Sequence, residues 1–146
     1  MTSAERYPFR VRDATFGGSS LQPLLPLRLS HDRLVVETLG LVDSGSSLSV
    51  IPWEIGLRLG LDWDSLDSSL QLVGSLAGLE AKAISLEGTI GTFPPVRLGF
   101  AWSRAENIPT ILGQINFFLE FDVCFFRTRN FFEVKPRLME SEDALT

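Results

Sequence analysis

Short apolar segments separated by turn-forming residues recur along most of this chain. Residues 24–29 and 34–39 are mainly apolar or β-branched, and the polar residues 30–33 between them suit a hairpin turn. Residues 96–102 alternate at the strand period of two. This pattern predicts an all-β fold in which the sheet folds on itself as a closed barrel or sandwich.

The clearest helix signal lies between Pro52 and Gly60. Proline suits the first position of a helix because the N–H that it lacks has no partner there, and glycine suits the end. The residues between them are largely apolar but few. We therefore predict one or two short helices within a β fold.

The length and composition predict a single domain. A chain of 146 residues with 45% hydrophobic residues can enclose a core without disulfides or metals. We expect an N-terminal extension over residues 1–20, one domain over residues 21–136 and a polar tail over residues 137–146. The single cysteine, Cys124, excludes an intrachain disulfide, and its apolar neighbours predict a packed, unreactive side chain.

The charge of the chain argues against nucleic acid as a partner. The formal net charge is −5, and Lys and Arg form no cluster in the sequence. The N-terminus lacks the order of a secretory signal, and no apolar run approaches the roughly 20 residues of a membrane span. We expect a cytoplasmic protein with no membrane partner.

One acidic residue, Asp43, lies where burial of its ionised carboxylate would cost free energy. Asp43 directly follows the apolar-rich residues 39–42 and precedes the small residues 44–47. Burying an ionised carboxylate without partners is unfavourable, so such positions are often functional. Because Asp, Ser and Gly are also the commonest turn formers, these residues alone equally allow a simple turn at Asp43.

A long hairpin is predicted over residues 70–92. Gly74 and Gly78 bracket three small or apolar residues, which predicts a mobile tip, with an ordinary hairpin turn as the alternative. The single histidine, His31, lies on a predicted loop without a second imidazole or a cysteine near it in the sequence. It cannot complete a metal site of the usual ligand number, so we expect no metal. The sequence implies no organic cofactor either.

The order of these features resembles the retropepsin-like aspartic proteases, the single-domain relatives of retroviral protease. Residues 41–45, Leu-Val-Asp-Ser-Gly, match the apolar run that leads into Asp-Thr/Ser-Gly, and a strand with the pair at 51–52, Ile-Pro, follows. Residues 111–113, Ile-Leu-Gly, then lead into the aromatic residues 117–123, which look like the bacterial members in particular. We expect residues 111–113 to pack against the Asp43 turn, and residues 117–134 to be extended with a turn at 127–130. The glycine-tipped hairpin lies between them, where the family has its flap.

The resemblance implies an aspartic endopeptidase with Asp43 as its catalytic residue and a peptide or protein as its substrate. Ser44 and Gly45 would belong to the active-site loop. Ser44 stands where threonine is commoner and keeps the hydroxyl that bonds across the dimer axis. The substrate contacts implied are Ser46, Ser47, Gly74, Ser75 and Leu76.

The chemistry implied by the resemblance needs a second carboxylate. Two carboxylates share one proton, so that one activates a water as base while the other protonates the carbonyl oxygen as acid. This chain has one Asp-Ser-Gly, so the second group has to be Asp43 of an identical chain across a twofold axis. Retroviral members interleave their chain ends, to which this acidic C-terminus is unsuited, and residues 7–11 are a candidate substitute strand.

Two other functions remain open at the level of sequence. The first is a catalytically silent retropepsin-like module that binds peptides or assembles with a partner, with Asp43 as a relic. The second is a serine hydrolase that uses Ser44, Ser46 or Ser47 with His31 as base, although no Gly-x-Ser-x-Gly motif is present. Ser46 and Ser47 also suit a purely structural turn.

Overall fold

The structure is a computed structural model that describes residues 3–12, 21–67, 69–71 and 78–138. Its short helices are α1 (Trp53–Arg58) and α2 (Phe117–Glu120), and single 3-10 turns cover Trp63–Ser65 and Arg127–Arg129. Its strands are β1 (Glu5–Pro8), β2 (Arg10–Val11), β3 (Leu21–Gln22), β4 (Leu24–His31), β5 (Leu34–Val42), β6 (Val50–Ile51), β7 (Ser69–Gln71), β8 (Glu80–Thr89), β9 (Val96–Ser103), β10 (Thr110–Leu112), β11 (Phe121–Phe126) and β12 (Phe131–Pro136). Neither α-helix is long and apolar enough to cross a membrane.

Six strands close into a barrel in the order β4, β5, β10, β6, β9 and β8. The ring closes because β8 pairs antiparallel with β4, with Leu29 opposite Gly88, while β7 extends the sheet beyond β8. Side chains such as Leu25, Leu86 and Leu98 are fully buried inside. The predicted all-β fold with a closed barrel and two short helices is confirmed.

The first hairpin is longer than its sequence pattern indicates. His31 pairs with Leu34, so the turn consists of Asp32 and Arg33 alone and β4 continues through His31. Asp32 has φ 54°, the left-handed conformation that two-residue hairpins require and that aspartate tolerates. The pairing therefore fixes the register of β5, which leads into Asp43.

Helix α1 packs against the barrel through a glycine. Gly60 follows the helix with φ 74°, as the sequence predicts, whereas Pro52 is extended and directly precedes the helix instead of taking its first position. A Cβ on Gly56 would lie 2.6 Å from Cζ2 of the buried Trp102, so only glycine allows the helix this close. The ring of Trp53 stacks on that of Trp102 at 4.7 Å between centroids. The helix is thereby held beside β9.

A second sheet contains three strands in the order β1, β12, β11. The sequence predicts extended chain from Phe117 onward, but the first four residues form α2, and this expectation is wrong. Phe117 and Phe121 are both buried and their rings stack at 5.2 Å, which a helical turn permits because it returns residues four apart to one face. The strand therefore begins only at Phe121.

The N-terminal strand β1 is attached to the rest of the chain by Glu5. The Glu5 carboxylate accepts hydrogen bonds from the N–H and the hydroxyl of Thr92, both at 3.0 Å, and from the Tyr7 hydroxyl at 3.2 Å. Gly91 makes room for it, because a Cβ there would overlap the carboxylate. Residues 5–8 thus lie in one sheet with β12 and also contact the turn before β9.

We predict that Tyr7 titrates abnormally. Burial, followed by the charge of Glu5 and the hydrogen bond to it, raises the pKa of Tyr7 from 10.0 to about 12. A phenol whose pKa is raised on folding stabilises the folded chain below pH 10, and this contribution is lost as pH rises from 10 to 12. Tyr7 is the only tyrosine in the chain, so tyrosinate absorbance measures it directly. Glu5→Gln should shift the titration to lower pH, and an unchanged curve would contradict the assignment.

Cys124 is exposed, so the prediction of a packed cysteine is wrong. Apolar neighbours in the sequence do not imply burial here, because successive side chains along a strand point to opposite faces of the sheet. In β11, Phe121 is buried and Val123 half-buried on one side, whereas Asp122 and Cys124 face the other side. The thiol therefore lies on the outer face of the three-stranded sheet.

Candidate active site

Asp43 lies where β5 leaves the barrel. Strand β10 runs parallel to β5, with Leu112 opposite Val42, and the Asp43 N–H donates to the Leu112 carbonyl at 3.0 Å. The last bond of the parallel pair therefore fixes the backbone of Asp43 itself. Its side chain is half-buried at the end of an apolar strand, as the sequence indicates.

The residues after Asp43 form a tight loop around its carboxylate. The Gly45 N–H donates to Asp43 Oδ1 at 3.0 Å, and the Ser46 N–H donates to the Asp43 carbonyl at 3.2 Å. A Cβ on Gly45 would lie 3.3 Å from the same oxygen, so glycine suits this contact. One carboxylate oxygen is thus held by the main chain, and the carboxylate is oriented.

A second segment, residues 113–115, holds the other side of this loop. The Gln114 N–H donates to the Ser46 carbonyl at 2.8 Å, and the Ile115 N–H donates to the Ser47 carbonyl at 3.0 Å. The side-chain amide of Gln114 also donates to the Ser44 carbonyl at 2.8 Å. The loop is therefore held by main-chain and side-chain hydrogen bonds rather than by its own turn alone.

Gly113 allows the two segments to lie close together. A Cβ at this position would overlap the Leu48 carbonyl oxygen and lie 2.7 Å from the Ser46 carbonyl oxygen. The Gly113 N–H donates at 3.0 Å to the hydroxyl of Ser49, which is buried. Packing of residues 111–113 against the Asp43 turn, which the resemblance implies, is confirmed.

Two residues of this arrangement were not predicted. The Ser49 hydroxyl accepts from Gly113 and the Gln114 side chain donates to Ser44, yet nothing in the sequence context of Ser49 or Gln114 distinguishes them from ordinary polar residues. Both bonds join residues far apart in the sequence, so only the parallel pairing of β5 and β10 brings the partners together. No local signal could have identified them.

The serines after Asp43 differ in what their side chains do. Ser44 and Ser47 are exposed. The Ser46 hydroxyl donates to the Leu48 carbonyl at 2.7 Å and so contributes to the loop itself. The structural role that the sequence allows for Ser46 is therefore present, while the Ser44 and Ser47 side chains face solvent.

The hairpin predicted over residues 70–92 is formed by β7 and β8, with Ser69 opposite Lys82 and Gln71 opposite Glu80. Strand β8 then forms a second hairpin with β9. Gly74, Ser75 and Leu76, the predicted flap contacts, lie outside the described residues.

A small apolar cluster, separate from the main core, lies between this hairpin and the Asp43 loop. Its buried members are Val50, Ala81, Ala101 and Ile111, and half-buried Leu48, Leu79 and Ile108 pack against it. The cluster joins β6 and β10, which flank the loop, to β8 and β9. It therefore provides an apolar surface next to Asp43.

Clefts formed by the described residues include two that do not contain Asp43, and one of them shares Ile108 with the apolar cluster. One of ≈ 500 Å³ is lined by residues that include Leu24, Ile55 and Ile108, and one of ≈ 290 Å³ lies over Leu27 and Thr89. Neither is lined by Asp43. Within the described ranges, no group of three or more His, Cys, Asp or Glu side chains could hold a metal ion.

The single histidine is remote from the serines of the loop. His31 is half-buried at the far end of β4, and its Nδ1 lies 3.2 Å from the Leu59 carbonyl oxygen. The loop follows the opposite end of β5, which at about 3.3 Å per residue places His31 on the order of 25 Å from it. The expected solvated turn residue is instead a strand end that contacts the end of α1, and it cannot serve a serine nucleophile.

Comparisons with known proteins identify the fold. No protein-family model matches the sequence, and no curated protein matches it. The structure is similar to a retropepsin-like aspartic protease from Rickettsia conorii, with a TM-score of 0.59, 15% identity, and coverage of 92% of this chain and 96% of that one. At this identity the likeness establishes the fold, and the resemblance deduced from the motifs is confirmed at that level.

Two further structures are less similar. The EIAV protease in complex with the inhibitor HBY-793 has a TM-score of 0.48 and 15% identity, covering 66% of this chain and 86% of that one. The retroviral protease-like domain of Ddi1 from Leishmania major has a TM-score of 0.45 and 18% identity, covering 62% and 72%.

Proposed function

We propose that this chain is one half of an aspartic endopeptidase in which the Asp43 residues of two identical chains form the catalytic dyad. The observation that supports this most is the way Asp43 is held. Its N–H bonds to β10 and its Oδ1 accepts from Gly45, so the carboxylate is oriented on a loop that residues 113–115 keep in place. The retropepsin-like fold adds to this support.

The chemistry follows from placing two such carboxylates together. Close carboxylates cannot both ionise easily, so the pair retains one proton. The ionised Asp43 takes a proton from water, whose oxygen attacks the peptide carbonyl carbon, while the protonated Asp43 gives its proton to the carbonyl oxygen. When the resulting gem-diol collapses, the Asp43 that is now ionised takes a proton from one hydroxyl, the other Asp43 gives its proton to the nitrogen, and the C–N bond breaks to release the acid and the amine. Metal and organic cofactors have no part in these steps.

The neighbouring residues have supporting roles in this proposal. The Gly45 amide orients the carboxylate, and the exposed Ser44 hydroxyl bonds across the twofold axis. Ser46 and Ser47 contact the substrate main chain, Ser46 through its hydroxyl, which donates to the Leu48 carbonyl and can still accept a hydrogen bond. The hairpin tip closes over the bound peptide and excludes water, with contacts from Gly74, Ser75 and Leu76.

The apolar cluster beside Asp43 supports a proposal about the substrate class. Half-exposed Leu48, Leu79 and Ile108 offer apolar surface with no charged member. A peptide bound here buries apolar side chains near the scissile bond, at about 25 cal/mol per Å² of apolar area. We therefore expect cleavage next to apolar residues in extended segments of peptides or unfolded proteins.

Incubation of the purified protein with a peptide library at mildly acidic pH tests this function. Mass spectrometry should detect cleavage next to apolar residues, and Asp43→Ala should abolish it. Cleavage that survives Asp43→Ala would refute the proposal. Peptide binding without cleavage would select the silent binding module instead.

A further inference from the structure

One peptide unit lies between the Asp43 carboxylate and a side chain of the segment at 113–115. This unit contains the Ser44 carbonyl and the Gly45 N–H. The Gly45 N–H donates to Asp43 Oδ1 at 3.0 Å. On the opposite side of the unit, the Ser44 carbonyl accepts from Gln114 Nε2 at 2.8 Å. A single amide therefore carries two hydrogen bonds, one from Gln114 and one to Asp43.

The geometry of the amide couples these two bonds. A peptide unit is planar, and in its trans form the C=O and the N–H point in opposite directions. A donor that fixes the direction of the Ser44 carbonyl thereby fixes the direction of the Gly45 N–H as well. Donation to a carbonyl also polarises the amide, which strengthens the bond that its N–H gives to an acceptor. Gln114 can therefore act on Asp43 Oδ1 without touching it.

Other groups of the chain hold this unit only weakly. Among the described residues, no donor other than Gln114 Nε2 reaches the Ser44 carbonyl. In the same ranges, the Gly45 N–H is the only donor to the Asp43 carboxylate. Ser44 and Gly45 are both exposed, so packing within the chain does not clamp the unit. The orientation of the carboxylate thus depends on the bond that Gln114 supplies.

The main chain places Gln114 for this contact. Its N–H donates to the Ser46 carbonyl at 2.8 Å, and the next N–H, of Ile115, donates to the Ser47 carbonyl at 3.0 Å. These bonds fix the point at which the side chain leaves the backbone, and they require no particular side chain. Substitution of Gln114 should consequently keep the segment beside the loop and alter only the bond to Ser44.

We propose that Gln114 is a positioning residue, which orients the Asp43 carboxylate through the Ser44–Gly45 peptide unit. Its side chain bonds to the Ser44 carbonyl and to neither carboxylate oxygen, so it is not a catalytic residue. Its effect on catalysis rests on the proposed function, because a carboxylate acts as acid or base only in the correct orientation. In a symmetric pair of chains the contact occurs twice, so one substitution loosens both carboxylates.

Three substitutions of Gln114 separate this role from packing. Methionine has the length of glutamine but no donor, and ionised glutamate presents only acceptors. Arginine has an N–H the same number of bonds from the backbone as the amide of glutamine. Gln114→Met and Gln114→Glu should therefore lose the bond to the Ser44 carbonyl, and Gln114→Arg should retain it. All three should melt within about 5 °C of wild type, because the main-chain bonds remain.

Nuclear magnetic resonance measures the peptide unit directly and needs no substrate. An HNCO spectrum gives one signal that joins the Gly45 N–H to the Ser44 carbonyl carbon. Gln114→Met and Gln114→Glu should move this signal in the proton and the carbonyl dimensions, because both hydrogen bonds weaken, and Gln114→Arg should return it. The signal of Gly60, which follows α1, is the reference that should stay in place. A Gly45 signal that Gln114→Met leaves in place, or moves only in the carbonyl dimension, would overturn the inference.

Peptide cleavage measures the consequence for catalysis. Gln114→Met should lower kcat about five- to tenfold, which is the range of one neutral hydrogen bond. KM should stay nearly unchanged, because Gln114 is not among the proposed substrate contacts. Gln114→Arg should recover most of the loss, which a role in packing alone does not predict.

The two measurements separate this inference from the proposed function. A moved Gly45 signal in a protein that cleaves no peptide would retain the positioning role and overturn the peptidase. Cleavage that requires Asp43, with a Gly45 signal and a kcat that Gln114→Met leaves unchanged, would overturn the positioning role and retain the peptidase. A moved signal together with a lower kcat that Gln114→Arg recovers supports both.

Discussion

Replacing Asp43 by asparagine is expected to lower kcat/KM for peptide cleavage by about a thousandfold or more, in the range of a lost general acid or base. Asparagine has nearly the same shape, and its amide oxygen can accept the Gly45 N–H that Oδ1 accepts at 3.0 Å. It cannot take a proton from water. The loop should therefore keep its structure while the reaction stops.

Asp64→Asn is the matched control, because it separates the loss of a catalytic carboxylate from the loss of one negative charge. Asp64 is an exposed acid in the 3-10 turn after α1, so its replacement changes the net charge equally without touching the loop. Thermal melting and sedimentation should show both variants folded and associated. Cleavage by Asp43→Asn at the rate of Asp64→Asn would refute the assignment of Asp43 as catalytic.

Replacing Gly113 by alanine is expected to destabilise the fold and impair cleavage together. The new methyl group would lie 2.7 Å from the Ser46 carbonyl oxygen and overlap that of Leu48. Both are backbone atoms and cannot move as a flexible side chain does. Overpacking of this kind costs about 1 to 3 kcal/mol, and relief requires residues 43–49 to move away from β10.

Gly99→Ala is the matched control for this prediction. A Cβ on Gly99 in β9 would meet no atom within 4 Å, so the same chemical change should leave the unfolding free energy and cleavage nearly unchanged. Denaturant unfolding and peptide cleavage measure the two effects. Equal stability and activity of Gly113→Ala and wild type would contradict the tight contact between the two segments.

Local sequence patterns predicted the elements that depend on neighbouring residues. The hairpin of β4 and β5, the short helix between Pro52 and Gly60 and the Asp43 turn each follow from alternation, proline and glycine, or a turn motif. The place of residues 111–113 beside Asp43 came from the family resemblance. In each case the determining residues lie close together or form a recognisable motif.

Contacts between distant residues were not predictable in this way. The Glu5 carboxylate bonds to Thr92, and β1 pairs with β12 at the other end of the chain, yet no local pattern specifies either partner. Ser49 and Gln114 support the loop only after β5 and β10 pair. The exposure of Cys124 depends on the register of β11, where a shift of one residue would reverse the two faces.

The central claim is that two copies of Asp43 act in one site, and subunit mixing tests it most directly. Wild type and Asp43→Asn are mixed in equal amounts at constant total concentration and allowed to exchange subunits, and cleavage is compared with that of unmixed wild type. If both carboxylates are required, only dimers of two wild-type chains are active and activity falls to about a quarter. Activity of about half, as expected when each chain acts alone, would contradict the shared dyad.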